Sequence, residues 1–252
     1  MKTIHASCLL LALCLLSGCA GRAISCDESC KLCEKDIPEH FVLVSDVIPD
    51  AMLDIRYHCA FNFIGERIPG YEQPVAIMTR RSCDSLKAVA DELREKGLTI
   101  KIFDAYRPQC AVDFFMEWAL DTLDVRTREY FYPELDKTVL VPQQYVARQS
   151  SHTRGSTVDL TLFDKSSQKD LDMGGTFDYF GLVSHPDLLP GEEAGACSPI
   201  NEEQYRNRML LREAMLRHGF LPYECEWWHF TLDDEPFPDT YFTFPVSERF
   251  FE

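Results

Sequence analysis

Alternation of apolar and polar residues marks one stretch of the chain, residues 150–161, as the predicted centre of its chemistry. After Gly155, every second residue is apolar, which predicts a strand with Val158 facing a core. Asp159 would then stand on the opposite, polar face of that strand, and His152 would come from the turn before it. This arrangement can direct a histidine and a carboxylate to one point, because successive side chains of a strand face opposite ways.

Other apolar patterns predict three helices and three further strands. The helices cover residues 82–96, 111–123 and 202–218, and the strands cover residues 54–57, 98–104 and 226–232. Gly97 and Gly219 follow the first and last helix, where glycine commonly ends a helix. The elements do not follow the rhythm of a doubly wound sheet, so we expect an α+β fold. It would be a single domain with a central, mostly antiparallel sheet flanked by helices.

The N-terminal residues predict export of the protein. An apolar run at residues 8–16 is too short for a permanent transmembrane helix, but it has the length of a secretory signal. Leu16-Ser17-Gly18-Cys19 then resembles the lipobox of bacterial lipoproteins, which are cleaved before the cysteine and lipidated on it. We expect a signal peptide at residues 1–18 and an exported lipoprotein, held on the membrane by acylated Cys19. An ordinary signal peptide is the alternative.

Eight cysteines remain after the signal and the lipidated residue, and an even number in an exported protein favours disulfides. They are Cys26, Cys30, Cys33, Cys59, Cys83, Cys110, Cys197 and Cys225. The first three lie in residues 19–36, which we interpret as a cysteine-rich tether ahead of a domain at residues 37–252. A metal site in this cluster is the alternative, although its spacing differs from the usual zinc pair of pairs.

Composition limits the range of partners. The chain has 252 residues, 46% of them hydrophobic, and a net charge of −16. That length suffices for a sizeable core. Apart from Arg80-Arg81 there is no basic cluster of the kind that phosphate binding requires, which argues against a nucleic-acid partner.

Two histidines and an aspartate form a candidate metal-binding set. His229 lies in the last predicted strand and would join His152 and Asp159, since a catalytic zinc commonly takes three protein ligands and leaves a position for water. Glu226, three residues before His229, is the candidate general base. Gly155 would let His152 reach the face of Asp159, so a bulky residue there should cost metal affinity before it costs the fold. The alternative is a buried histidine and a capping aspartate that never meet.

These residues resemble the zinc D-alanyl-D-alanine peptidases, and most closely the VanX-type D-alanyl-D-alanine dipeptidases. The motifs are Ser-x-His-x-x-Gly-x-x-x-Asp at residues 150–159, Glu-Trp-Trp-His at residues 226–229 and Asp-Ala-Tyr-Arg-Pro at residues 104–108. The likeness covers about residues 40–246 in order. It implies the DD-peptidase fold, which is hedgehog-like, with the metal site on the sheet and one Zn²⁺ per chain.

The resemblance also implies a role for each matching residue. The zinc ligands would be His152, Asp159 and His229. Glu226 would move a proton from water to the leaving amine. Arg107 would stabilise the oxyanion, with a salt bridge to Asp104 as the alternative. Asp178 would pair with the substrate's ammonium group, and Ser150 would contact its carboxylate.

The activity implied is zinc-dependent hydrolysis of the D-alanyl-D-alanine dipeptide, in the turnover or salvage of cell-wall peptides. Contacts at both ends of the substrate would restrict the enzyme to dipeptides. Two alternatives stay open. One is a D,D-carboxypeptidase or other peptidoglycan peptidase that acts on longer peptides. The other is a non-catalytic lipoprotein that binds wall peptides on the same fold.

Overall fold

A computed structural model of the protein describes residues 36–252. Its strands are β1 Phe41–Leu43, β2 Met52–Leu53, β3 Ile77–Thr79, β4 Leu98–Asp104, β5 Thr157–Asp164, β6 Lys169–Asp170, β7 Phe220–Tyr223 and β8 Glu226–Leu232. Its α-helices are α1 Ile37–His40, α2 Val44–Val47, α3 Arg80–Arg94, α4 Gln109–Leu120, α5 Arg128–Phe131, α6 Lys137–Leu140 and α7 Glu202–Arg217.

The central sheet has the strand order β2-β4-β5-β8-β7, and β6 pairs with β5 beside this path. Strands β2 and β4 are parallel, whereas the other pairs of this sheet are antiparallel. Strands β1 and β3 form a separate antiparallel pair. The predicted α+β domain with a mostly antiparallel central sheet is therefore confirmed.

Helices α3 and α7 pack against each other and against the sheet. The Thr79 hydroxyl caps α3 by accepting from the backbone N–H of Ser82 at 3.4 Å. The side chains on the buried stripe of α3 recur at helical spacing. They are Leu86, Val89, Ala90 and Leu93. Helix α7 begins with a capping box between Asn201 and Gln204.

The register of the three central strands sets three polar residues in one row. Asp159 of β5 is paired with Asp104 of β4 on one side and with His229 of β8 on the other. A slip of one residue would turn all the side chains of a strand to the opposite face. Strand pairing alone therefore brings a carboxylate beside a histidine.

One secondary-structure prediction and one burial prediction are wrong. Residues 54–57 do not form a strand. The backbone N–H of His58 bonds to the carbonyl of Ile55, which closes a 3-10 turn and buries Tyr57 in the core. Strand β5 does not have one solvent-facing side either, because Asp159 is as buried as its apolar neighbours.

The disulfide prediction is only partly right for the described cysteines. Cys110 is disulfide-bonded, whereas Cys59, Cys83, Cys197 and Cys225 are free thiols. Cys83 lies wholly inside the core, where a thiol packs as a small apolar group. Cys225, the neighbour of Glu226, is therefore not held by a disulfide.

The predicted signal peptide, lipidated Cys19 and most of the tether lie outside the described residues, so these assignments stay predictions. Within residues 36–252, no helix is both long and apolar enough to cross a membrane.

Gly155 is packed more tightly than the sequence predicted. It has a left-handed φ of 79° and ends the 3-10 turn Ser151–Arg154. A Cβ atom there would collide with a ring carbon of Phe41, which is fully buried. A substitution would therefore disturb the core directly, which contradicts the expectation that metal affinity would be lost first.

We predict that Gly155→Ala lowers the free energy of unfolding by about 2–4 kcal/mol, from left-handed strain plus overpacking. Gly191 is a matched control, because it has the same φ of 79° and nothing within 4 Å of an added Cβ. Gly191→Ala should cost only the strain, about 1–2 kcal/mol. Urea denaturation measures both, and equal losses would contradict the collision with Phe41.

Candidate active site

Three side chains converge where the central strands meet the turn before β5. Nε2 of His152 lies 3.2 Å from Oδ2 of Asp159, and Nδ1 of His229 lies 3.1 Å from Oδ1 of Asp159. The two imidazole nitrogens are 3.3 Å apart. The three potential ligand atoms all lie within 4.8 Å of one another, so they can contact one metal ion.

The hydrogen bonds around this group fit a metal. His152 Nδ1 donates to the carbonyl of Ala105 at 2.7 Å, which leaves the lone pair of Nε2 directed inward. His229 Nε2 lies 3.2 Å from Oγ of Ser151, which leaves its Nδ1 for the metal. Oδ1 of Asp159 is buried and, apart from its 3.1 Å contact with Nδ1 of His229, has no hydrogen-bond partner among the described residues. Two imidazoles and one carboxylate match the ligand set of a catalytic zinc, and the outer hydrogen bonds orient the rings.

The surroundings of Asp159 and His229 shift the pKa values of both groups. Burial opposes ionisation of Asp159, but His152 and His229 outweigh it and hold its pKa below the usual range. Burial likewise opposes a charge on His229, yet Asp159 and Glu226 raise its pKa to about 9. An incoming metal would displace this proton, because it binds the neutral ring.

Glu226 lies on the same side of β8 as His229 because the strand is irregular. In an unbroken strand, residues three apart face opposite sides. Pro222 of β7 pairs with Phe230 of β8, but the next residue of β7, Tyr223, pairs with Glu226. This bulge places Oε2 of Glu226 3.4 Å from Nδ1 of His229, next to the metal-binding group.

Arg107 is held beside the metal-binding group by a buried aspartate. Its Nε donates to Oδ2 of Asp104 at 2.9 Å, and its Nη2 lies 3.7 Å from Oδ2 of Asp159. The Tyr71 hydroxyl also donates to Asp104, at 2.7 Å, and the guanidinium lies over the ring of Tyr57. The salt bridge to Asp104, considered as an alternative role, is therefore present. It orients Arg107 towards the site.

Asp178 is a buried carboxylate with one oxygen unpaired. The Tyr57 hydroxyl donates to its Oδ1 at 3.1 Å, while Oδ2 is buried and has no hydrogen-bond partner among the described residues. Burial raises the pKa of Asp178 well above its usual range, and the charges of Asp159 and Glu226 raise it further. A cationic group would satisfy both the free oxygen and the charge.

The metal-binding group, Glu226, Arg107 and Asp178 all line one cavity of about 380 Å³. Ser150 lines it too, and its hydroxyl accepts from the backbone N–H of His152 at 3.3 Å. Apolar rings close another part of the wall, from Phe63, Phe115 and Phe180. The cavity thus combines a metal-binding group, a base, a guanidinium and a free carboxylate within a partly apolar enclosure.

Comparison with known proteins identifies the family. A family model described as D-ala-D-ala dipeptidase matches residues 38–247. The chain belongs to the D-ala-D-ala dipeptidase family. It is 36% identical to the D-alanyl-D-alanine dipeptidases of Enterococcus faecalis and Streptomyces coelicolor, over 207 residues that cover 82% of this chain and 98% of each relative. The family predicted from the motifs is confirmed.

Among solved structures, the vancomycin-resistance D,D-pentapeptidase VanY in complex with Zn(II) matches with a TM-score of 0.36 and 16% identity. The match covers 66% of this chain and 78% of that chain. A likeness this low supports no conclusion about the site of this dipeptidase-family chain.

The structure brings the predicted catalytic, metal-binding and substrate-binding residues into one cavity, and their chemical roles stay predictions. The sequence did not point to two other contacts. Tyr57 donates to Asp178, and Ser151 faces His229. Tyr57 lies in the stretch predicted as a strand at residues 54–57, and that pattern gave no sign of its contact with Asp178. Nothing in the spacing distinguished Ser151 from other serines.

We predict that Ser151→Ala weakens Zn²⁺ affinity by about 10- to 100-fold, the usual effect of losing a partner that orients a metal-binding histidine. Competition with a chromophoric chelator measures this affinity. Ser166→Ala, at an exposed serine in the turn after β5, should leave it unchanged. An unaltered affinity in Ser151→Ala would show that this hydroxyl does not orient His229.

Proposed function

We propose that this protein is a zinc-dependent dipeptidase that hydrolyses D-alanyl-D-alanine. One observation carries the proposal. A single cavity holds a three-residue metal-binding group, a glutamate beside it and a buried carboxylate with a free oxygen. Membership of the family and the names of its relatives support the same activity.

Substrate binding uses both charged ends of the dipeptide. Asp178 and the Tyr57 hydroxyl receive the ammonium group, and Ser150 contacts the carboxylate. His152, Asp159 and His229 would hold the Zn²⁺. When bound, the ion supplies Lewis acidity that polarises the scissile carbonyl and lowers the pKa of water.

Glu226 moves the proton of the reaction. It takes a proton from the attacking water and delivers it to the nitrogen of the leaving D-alanine, as a general base and then a general acid. Its side chain is 14% exposed and lies beside His229. Arg107, fixed by Asp104, supplies positive charge for the oxyanion that forms at the carbonyl.

The free oxygen of Asp178 favours a dipeptidase over a carboxypeptidase for longer peptides. An acylated substrate presents a neutral amide where the dipeptide has an ammonium group. That amide brings no positive charge, so it would lack the ion pair that the ammonium group makes with Asp178. A binding protein without activity is disfavoured by Glu226, because binding alone requires no base beside the metal.

We predict that Glu226→Gln lowers kcat for D-alanyl-D-alanine by about 10²- to 10⁴-fold, since proton transfer is lost. The zinc content, measured by elemental analysis, should stay at that of the wild type because Glu226 is not among the three ligands. Glu224→Gln, at an exposed position two residues earlier, is the control and should keep full activity. An unchanged kcat in Glu226→Gln would rule out this base.

We also propose that the protein is an exported lipoprotein anchored through acylated Cys19. The lipobox at residues 16–19 supports this location. An enzyme outside the cytoplasm would meet dipeptides released from the cell wall, so turnover or salvage of these dipeptides is the role that fits best.

For the location, we predict that Cys19→Ala abolishes labelling of the full-length protein by a clickable fatty acid and releases it from the membrane fraction. Cys14→Ala, within the predicted signal peptide, is the control and should leave labelling intact. Wild-type protein that takes up no fatty acid would disprove the lipid anchor.

A further inference from the structure

Arg208 of α7 is a buried arginine whose guanidinium bonds to three backbone carbonyls. The residue is 2% exposed. Its Nε donates to the carbonyl of Met173 at 2.6 Å, its Nη2 to that of Val183 at 2.7 Å and its Nη1 to that of His185 at 3.2 Å. Burying a guanidinium is costly unless its donors are satisfied, so these three bonds account for its position.

The three carbonyls belong to the two ends of one segment, residues 173–185. One planar group therefore joins the start of the segment to its end. Asn207, the neighbour of Arg208, adds a bond from its Nδ2 to the carbonyl of Asp172 at 2.9 Å. The segment is thereby closed into a loop on α7.

Asp178 lies in the middle of this closed loop. Its φ is 62°, a left-handed conformation that non-glycine residues adopt only when the surroundings hold them there. Next to it, the ring of Phe177 stacks on Phe103 with centroids 4.7 Å apart, and Tyr179 belongs to a small apolar cluster with Val183. Closure of the loop and these ring contacts together fix where the carboxylate stands.

We propose that Arg208 is a positioning residue for recognition of the dipeptide's amine. By joining the ends of residues 173–185, it sets Asp178 at the place where the ammonium group binds. The proposal rests on the proposed function, because it takes Asp178 as the ammonium site. Lysine cannot replace Arg208, since an ammonium group lacks the planar fork that reaches both ends of the loop.

The test compares two ligands that differ only in the amine. D-Alanyl-D-alanine gives KM and kcat, and N-propionyl-D-alanine, which has hydrogen in place of the amine, gives an inhibition constant as a competitive inhibitor. In Arg208→Lys, KM should rise about tenfold or more, the equivalent of one lost charge-assisted hydrogen bond. The inhibition constant and kcat should change by less than about threefold, within ordinary variation of such measurements.

Arg212→Lys is the matched control. Arg212 lies one turn further along α7 and pairs with Asp187 outside the loop. This variant should therefore keep the wild-type ratio of KM to the inhibition constant. Asp178→Asn should lose the preference for the amine as Arg208→Lys does. The double variant should then lose little more of this preference, because both changes remove the same interaction with the amine.

Three results would overturn the proposal. Equal weakening of both ligands in Arg208→Lys would indicate a general structural role, and losses that multiply in the double variant would indicate independent roles. Wild-type protein that does not hydrolyse D-alanyl-D-alanine would overturn the proposed function and this inference together.

If Arg208→Lys does not fold, Asn207→Ala takes its place. It should raise the ratio of KM to the inhibition constant to a smaller extent, and no change in that ratio would refute the proposal.

Discussion

The site depends on one buried carboxylate, that of Asp159 at the centre of the sheet. An ionised carboxylate inside a protein is costly unless charges or donors surround it. His229 on the neighbouring strand, His152 in the preceding turn and Arg107 after β4 surround it here. His229 and Arg107 reach Asp159 only in the observed strand register, so the same pairing that forms the core also assembles the site.

The parts of the fold that sequence could predict are those with strong periodicity. Strands β4 and β8 have the predicted bounds, and α3 and α7 differ from theirs by at most two residues. The sequence also named the residues that meet in the cavity, through residue type and motif. Strands β1, β3 and β7 were missed, because three or four residues are too few to show an alternation.

Other features of the site follow from departures from periodicity, which no local pattern announces. Glu226 stands beside His229 only because β8 is bulged, and the burial of Tyr57 depends on a 3-10 turn where alternation predicts a strand. The partner of Tyr57 is 121 residues away in sequence, and that of Ser151 is 78 residues away. Such pairs are set by tertiary packing.

Charge explains why this cavity suits a metal and a dipeptide. Its lining includes three carboxylates, Asp159, Asp178 and Glu226, against the one guanidinium of Arg107. A divalent cation would offset the surplus negative charge around the histidines, and the substrate's ammonium group would offset the negative charge of Asp178. Under the proposed function, the acidic groups of this cavity would recognise cations, a role that the net charge of the whole chain does not indicate.

The most direct test of the central claim is hydrolysis of D-alanyl-D-alanine and N-acetyl-D-alanyl-D-alanine by purified protein, before and after chelation and again after Zn²⁺ is restored. We expect hydrolysis of the free dipeptide alone, its loss on chelation and its return with Zn²⁺. Activity that survives metal removal, or faster hydrolysis of the acetylated compound, would contradict a metallodipeptidase that recognises a free amine.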